Sequence, residues 1–239
     1  MQIQQPLVNL AFREGQRFES FYANAQNQLL LQELKQAICS NDHQQLFLWG
    51  AKSAGKSHLL QASCQRAHLK GISTAYLPLS ELQNYGTDVL QGTTSYQLIC
   101  IDDVHSIVGQ KVWETSLFNL INQAREQQQV LLFSANENPR HLHCSLPDLH
   151  SRLLWGTNLQ VHKLDDEEKT KALKFRAAQR GIELDNAVIE YIYKRYPRDF
   201  TTLIGILDKL DRESLTSKRR ITIPLVKQAL DKPQQQGKE

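Results

Sequence analysis

The sequence is short of several features that mark large protein classes. It has only four cysteines, Cys39, Cys64, Cys100 and Cys144, and no two form a C-x-x-C pair. Such spacing supports no disulfide framework and fits a reducing cytoplasm. No apolar run is long enough to span a bilayer, and the N-terminus has neither the basic start nor the apolar core of a signal peptide. A cytoplasmic protein with no membrane partner is therefore expected. Excess positive charge is also scarce, with 28 basic against 25 acidic residues. Residues 1–163 carry 12 of each sign, so the whole excess lies in residues 164–239. A surface dedicated to DNA shows a stronger bias. There is no internal repeat. The 41% of apolar residues in a 239-residue chain is enough for a real core, in one large domain or in one medium and one small.

The stretch from Leu46 to Leu60 stands out. An apolar run of strand length, Leu46-Phe47-Leu48-Trp49, leads into Gly50-Ala51-Lys52-Ser53-Ala54-Gly55-Lys56-Ser57, and a helical pattern follows through His58 and Leu59. A G-x-x-x-x-G-K-S run between a strand and a helix has the form of a phosphate-binding loop. Its glycines let successive amides converge on an anion, and the helix start adds its open N–H groups. Lys56 would reach the outer phosphates and the Ser57 hydroxyl would sit on Mg²⁺. The competing reading is a Gly-rich turn that matches by chance.

Four further strand-like runs follow. Thr74–Leu77 is the second strand, with a weaker helix holding Leu79, Leu82 and Tyr85 after it. Gln97–Asp103 is the third, a continuous apolar run ending in two carboxylates, which indicates a strand buried on both faces of a parallel sheet. Asp102 would hold Mg²⁺ through water and Asp103 would orient an attacking water, or the pair simply caps the next loop. An amphipathic helix over Trp113–Gln127 precedes the fourth strand, Val130–Ser134. Asn136 beyond it either touches a terminal phosphate or makes the turn before Pro139. A short helix in Leu146–Gly156 carries Arg152, and Leu159–Leu164 reads as the fifth strand. Upstream, Phe18–Tyr22 leads into a helix over Asn24–Cys39. Its aromatics, Phe21 and Tyr22, could cover a base or pack in the core. His141, His143 and Cys144 read as loop residues with no second ligand cluster. From Asp165 the pattern is wholly helical, about four helices, opened by the acidic first turn Asp165–Glu168. The expected architecture is a five-stranded parallel α/β domain over residues 13–164, a helical lid over 165–232, and polar tails at 1–12 and 233–239.

A phosphate loop, paired carboxylates, a polar strand end, an arginine-bearing helix and a helical lid, in that order, resemble an AAA+ ATPase module. Leu98-Ile99-Cys100-Ile101-Asp102-Asp103-Val104 resembles the Asp-Asp acidic motif of the DnaA group. Phe18–Tyr22 resembles that group's entry to the adenine pocket, and Leu146–Gly156 its arginine-finger segment. The chain stops after the lid, without the DNA-reading domain of the initiator. With the N-terminal Gln2-Ile3-Gln4-Gln5-Pro6-Leu7 it resembles the Hda family of DnaA-related regulators. The resemblance implies bound ADP or ATP with Mg²⁺, held by Gly50 to His58, Phe21, Tyr22 and Asn136, with the diphosphate form active. It implies Arg152 as an arginine finger offered to ATP-bound DnaA, and Gln2, Ile3, Pro6 and Leu7 as a peptide for the DNA polymerase III β sliding clamp. DNA would then be met mainly through the clamp, and self-association into a homo-oligomer stays open.

Three departures stand beside this. Gln5 takes a place where an apolar residue is usual. Asn136 takes a place where DnaA relatives commonly carry Asp. The lid's nucleotide-sensing arginine should fall near Thr201, and Arg198, about a turn upstream, would be its substitute as a nucleotide-binding residue. Other functions compatible with the residues are a stand-alone ATPase of helicase-loader type, a DNA-binding repressor, and a nucleotide-stabilised scaffold without a trans-acting arginine. Deleting residues 1–7 is expected to abolish co-elution with the clamp while leaving the melting temperature unchanged. A truncated protein that still co-elutes refutes the peptide reading.

Overall fold

The structure, a computed structural model, describes residues 16–40, 42–217 and 220–230. Gln2, Ile3, Pro6 and Leu7 lie outside the described residues, as do the tails at 1–12 and 233–239. Two compact units divide the chain, residues 1–163 and 164–239.

In the first unit α1 (Gln28–Ala37) precedes an alternation of strands and helices: β1 (Gln45–Trp49), α2 (Lys56–Leu69), β2 (Thr74–Pro78), α3 (Leu79–Leu82), β3 (Leu98–Asp102), α4 (Lys111–Glu126), β4 (Val130–Ala135), α5 (Pro147–Leu153) and β5 (Thr157–Gln160). All strand pairs are parallel, in the order β2-β3-β4-β1-β5. Alternation along each strand explains the unbroken apolar runs. Leu46 and Leu48 join one core with Leu34, Leu59 and Leu60. Phe47 joins the other with Leu117, Ile121 and Leu149. In β3, Leu98 and Cys100 face the first core and Ile99 and Ile101 the second. Phe47 and Phe133 stack across β1 and β4 with centroids 5.9 Å apart. Because β4 lies between β1 and β3, the C-terminal ends of these three strands stand side by side, which is where open parallel sheets place ligands.

Three elements differ from the sequence expectation. The first helix, expected over Asn24–Cys39, is α1 over Gln28–Ala37, preceded by a 3-10 turn at Ala25–Asn27. The last strand begins at Thr157, two residues early, and ends at Gln160. Its ladder starts directly after Gly156, pairing Thr157 with Leu46. It stops because the buried Asn27 side chain takes over the backbone of His162, accepting from its N–H at 2.9 Å and donating to its carbonyl at 3.0 Å. Leu159 and the buried Val161 marked the phase of the strand but not its start. The helix after β2 ends at Leu82, and Tyr85 is exposed.

Glu114 of α4 is fully buried. Its Oε1 accepts from the amides of Gly109 at 2.7 Å and Ser145 at 3.0 Å, and its Oε2 from that of Leu146 at 2.7 Å. This carboxylate clasps the turn before α4 to the segment that enters α5, and so fixes where the helix bearing Arg152 begins.

The second unit packs α6 (Asp166–Ala178), α7 (Asn186–Arg195), α8 (Phe200–Ser217) and α9 (Ile223–Leu230) around Leu173, Ile189, Ile192, Leu203, Leu207 and Val226. Asp165 caps α6 in a reciprocal box with Glu168, the two bonds measuring 2.7 and 3.0 Å. Arg180 bridges to Asp208 at 2.5 Å. Among the described residues no helix is long and apolar enough to cross a membrane.

Glu114→Gln turns an amide NH₂ against a backbone N–H. It is expected to lower unfolding free energy by about 1–3 kcal/mol, read from urea denaturation. A wild-type midpoint would show that the clasp adds no stability.

Candidate functional site

β1 ends at Trp49 and α2 begins at Lys56, so residues 50–55 form a tight loop at the sheet's C-terminal edge. Ser53 and Gly55 take left-handed conformations, with φ of 64° and 103°. The loop has no room at either glycine. A Cβ on Gly50 would stand 2.3 Å from the carbonyl oxygen of Val161, and one on Gly55 would stand 2.7 Å from the Phe21 ring. The exposed Ala51 and Lys52 form its outer rim, and Ala54 is buried, its N–H donating to the Ala51 carbonyl at 3.2 Å. The first backbone bond of α2 runs from the Leu59 N–H to the Gly55 carbonyl at 3.0 Å. The amides of Lys56 and Ser57 precede it and are the donors a helix start offers to an anion.

Lys56 is only 5% exposed. Its ammonium donates to the carbonyls of Gly50 at 2.8 Å and Ala51 at 3.1 Å and to Asn136 Oδ1 at 3.0 Å. Burial pulls its pKa below the usual 10.5, while Asp103 and then Asp102 act in the opposite sense. The loop, the end of β3 and the end of β4 thus meet on one cation.

Asp102 is buried, and both its oxygens are engaged. Oδ2 accepts from the Tyr76 hydroxyl at 2.5 Å, and Oδ1 accepts from the Ser134 hydroxyl and, at 3.2 Å, from the Asp103 amide. A carboxylate has about four lone-pair positions, so it retains capacity for a metal-bound water. Burial and the Asp102 carboxylate push the Tyr76 phenol far upward, keeping it a donor. Asp103 sits in a left-handed conformation, φ 57°, with its amide donating to Ser134 Oγ at 3.0 Å and its carboxylate accepting from Ser80 at 2.9 Å. The two adjacent carboxylates therefore differ in role: one is locked beneath the site, the other lies at its edge.

The entry segment reaches the loop through Phe21 and His58. Their rings are 5.6 Å apart, and His58 Nε2 is 2.9 Å from the Arg17 carbonyl. Phe21 packs on Gly55, combining core packing with closure of one side of the loop. Tyr22 beside it is half-buried.

Arg152 lies on α5, half-exposed, with its guanidinium 4.1 Å from the Trp155 ring centroid and 5.7 Å from that of Phe118. Arg125 of α4 lies over the same indole at 4.4 Å. Among the described residues no carboxylate pairs with Arg152. In the second unit Arg198 is engaged within that unit, donating to Asp166 at 3.2 Å and lying over Tyr193 at 5.5 Å. Cys144 packs against the core, with burial and then Glu114 pushing its thiol up to about 11.

Sequence reasoning missed Tyr76, Ser134, His105 and Trp155. Tyr76 and Ser134 sit inside strand runs where a polar residue facing an acidic neighbour strand was the available signal. Nothing in the sequence marked His105, whose Nε2 lies 2.6 Å from Asn136 Nδ2.

Solved structures share this fold. Domain III of the Thermotoga maritima replication initiation protein DnaA superposes with a TM-score of 0.72 at 18% identity, covering 95% of this chain and 98% of that one. AMPPCP-bound DnaA from Aquifex aeolicus gives 0.70 at 21% identity, covering 86% and 68%. A DnaA bound to AMPPCP and single-stranded DNA gives 0.68 at 22%, covering 87% and 69%. At these identities the likeness is one of fold.

Gly50→Ala drives a methyl group into the Val161 carbonyl. It is expected to cost about 1–3 kcal/mol of stability, read as a lower urea midpoint; an unchanged midpoint would show that the loop yields.

The model of the bacterial DnaA ATPase domain matches residues 12–160, and the model of the Hda lid domain matches residues 166–230. With the first describing the sheet unit and the second the helical one, the chain belongs to the Hda family of DnaA-related AAA+ proteins.

Proposed function

We propose that this chain is an adenine-nucleotide-bound negative regulator of replication initiation. With the DNA-loaded sliding clamp it stimulates ATP hydrolysis by DnaA, lending Arg152 in trans. Support for the nucleotide comes from the donor set around Gly50–Ser57: helix-start amides and one buried ammonium suit a polyphosphate. Lys56 holds the outer phosphates, and Phe21 and Tyr22 line the side where the base enters. Ser57 and Asp102 fit a Mg²⁺ ion, Asp102 through water; the ion would neutralise phosphate charge when bound. The chain's own turnover is slow, because Asp103 is a methylene shorter than the glutamate usual in strong AAA+ ATPases and is tied to Ser80.

The observation that carries the trans role is the state of Arg152. A guanidinium without a carboxylate partner among the described residues, resting on an indole that is itself 39% exposed, is held in a preferred pose at modest cost. It can exchange the ring for a stronger acceptor. Its planar fork spans two phosphoryl oxygens, which a lysine cannot do. An arginine supplied in trans is worth roughly 10³–10⁵ in rate in GTPase systems.

Two measurements test this. ADP at 100 times its Kd should stabilise the protein by about 2.7 kcal/mol, and Lys56→Ala should lose that shift in a thermal melt. With clamp loaded on DNA, Arg152→Ala should keep the thermal shift but lose stimulation of DnaA-bound ATP hydrolysis. Arg152→Lys should recover little of it. Unchanged stimulation by Arg152→Ala refutes the finger. Turnover of the chain itself that rises with DNA alone would point to a loader-type ATPase instead.

A further inference from the structure

We propose that His105 steers the Asn136 amide between two orientations, so that the imidazole tautomer registers whether a bound nucleotide carries two phosphates or three. The inference rests on the nucleotide reading above and deepens it.

Lys56, Asn136 and His105 form a connected chain of three side chains. The Lys56 ammonium can only donate, so the Asn136 atom 3.0 Å from it is the carbonyl oxygen Oδ1. The amide NH₂ then points the other way, to His105 Nε2 at 2.6 Å. An NH₂ group only donates, so Nε2 accepts with its lone pair. The ring is neutral and carries its proton on Nδ1, which is buried without a hydrogen-bond partner. One cation at the loop thus dictates the tautomer of a histidine two side chains away.

In this arrangement Asn136 offers the phosphate end of the site only carbonyl lone pairs. That would suit a diphosphate ending short of Asn136, with Oδ1 still on Lys56. A third phosphate would bring acceptor oxygens towards Oδ1 and compete with it for the Lys56 ammonium. Oδ1 would then lose its donor and face like charge, with the Asp103 carboxylate adding to the repulsion. The amide escapes by rotating half a turn. NH₂ now donates to the phosphate, and Oδ1 turns to His105. Nε2 must then carry the proton: it leaves Nδ1 to water, water supplies Nε2, and the ring stays neutral. The exchange also relieves Nδ1 of an N–H that had no acceptor. Histidine is suited to this because either ring nitrogen can hold the proton. His105 is a positioning residue, acting on the phosphate only through Asn136.

The test uses the full-length protein, ¹⁵N-labelled at histidine, with ADP and with the non-hydrolysable analogue AMPPCP. With ADP, His105 Nε2 should show the shift of an unprotonated ring nitrogen; with AMPPCP it should show that of a protonated one. His105→Leu should move the ratio of the two dissociation constants by roughly 5- to 10-fold. His105→Gln, whose amide can also accept or donate, should restore it. Identical Nε2 shifts with both nucleotides, or a wild-type ratio in His105→Leu, overturn the inference while leaving the nucleotide site standing. Binding of neither nucleotide to the wild type overturns both.

Discussion

A buried ammonium is tolerable in a protein only when oxygen lone pairs replace the water it has lost. Lys56 meets that requirement with two carbonyls of its own loop and one side-chain oxygen from the end of β4. The rest of the first unit is arranged to bring those oxygens there. The glycines press the loop against Val161 and Phe21, and the strand order puts β4 next to β1, so that Asn136 can reach across. Beneath them Asp102 is locked by Tyr76 and Ser134 from the strands on either side of β3. The floor of the site is therefore rigid. Above it the Lys56 ammonium and Asn136 Oδ1 meet at 3.0 Å.

A second buried charge does similar work away from the loop. Glu114 gathers three backbone amides and fixes the entry to α5, and Trp155 just beyond that helix carries the Arg152 guanidinium. The arginine is placed by an anion in the core behind it and by a ring in front of it, not by an ion pair. Ion pairs hold a guanidinium in one state; a ring holds its direction and leaves its hydrogen bonds free for use. Arg125 on the same indole adds positive charge to this face, where an acidic or phosphate-bearing surface would be met favourably.

Much of the sheet was legible in the residues. Unbroken apolar runs such as Leu98–Ile101 only make sense with core on both faces, and the G-x-x-x-x-G-K-S spacing marked the loop because few other sequences satisfy its geometry. The end of the fifth strand was misplaced because it depends on Asn27, a residue 135 positions away from the backbone it pairs with. The short helix after β2 was overextended because Tyr85 looked apolar, yet it has nothing to pack against.

The sequence alone settled the family's order of motifs, the parallel sheet and the identity of the loop, since these follow from local periodicity and from spacings of a few residues. It could not settle the partners of those motifs. That Asn136 turns its oxygen to Lys56 and its nitrogen to His105, that Asp102 is tied down on both oxygens, and that Arg152 lies on Trp155 are facts of tertiary packing. Each joins side chains from different strands or helices, and the direction of a hydrogen bond is decided only when both ends are in place.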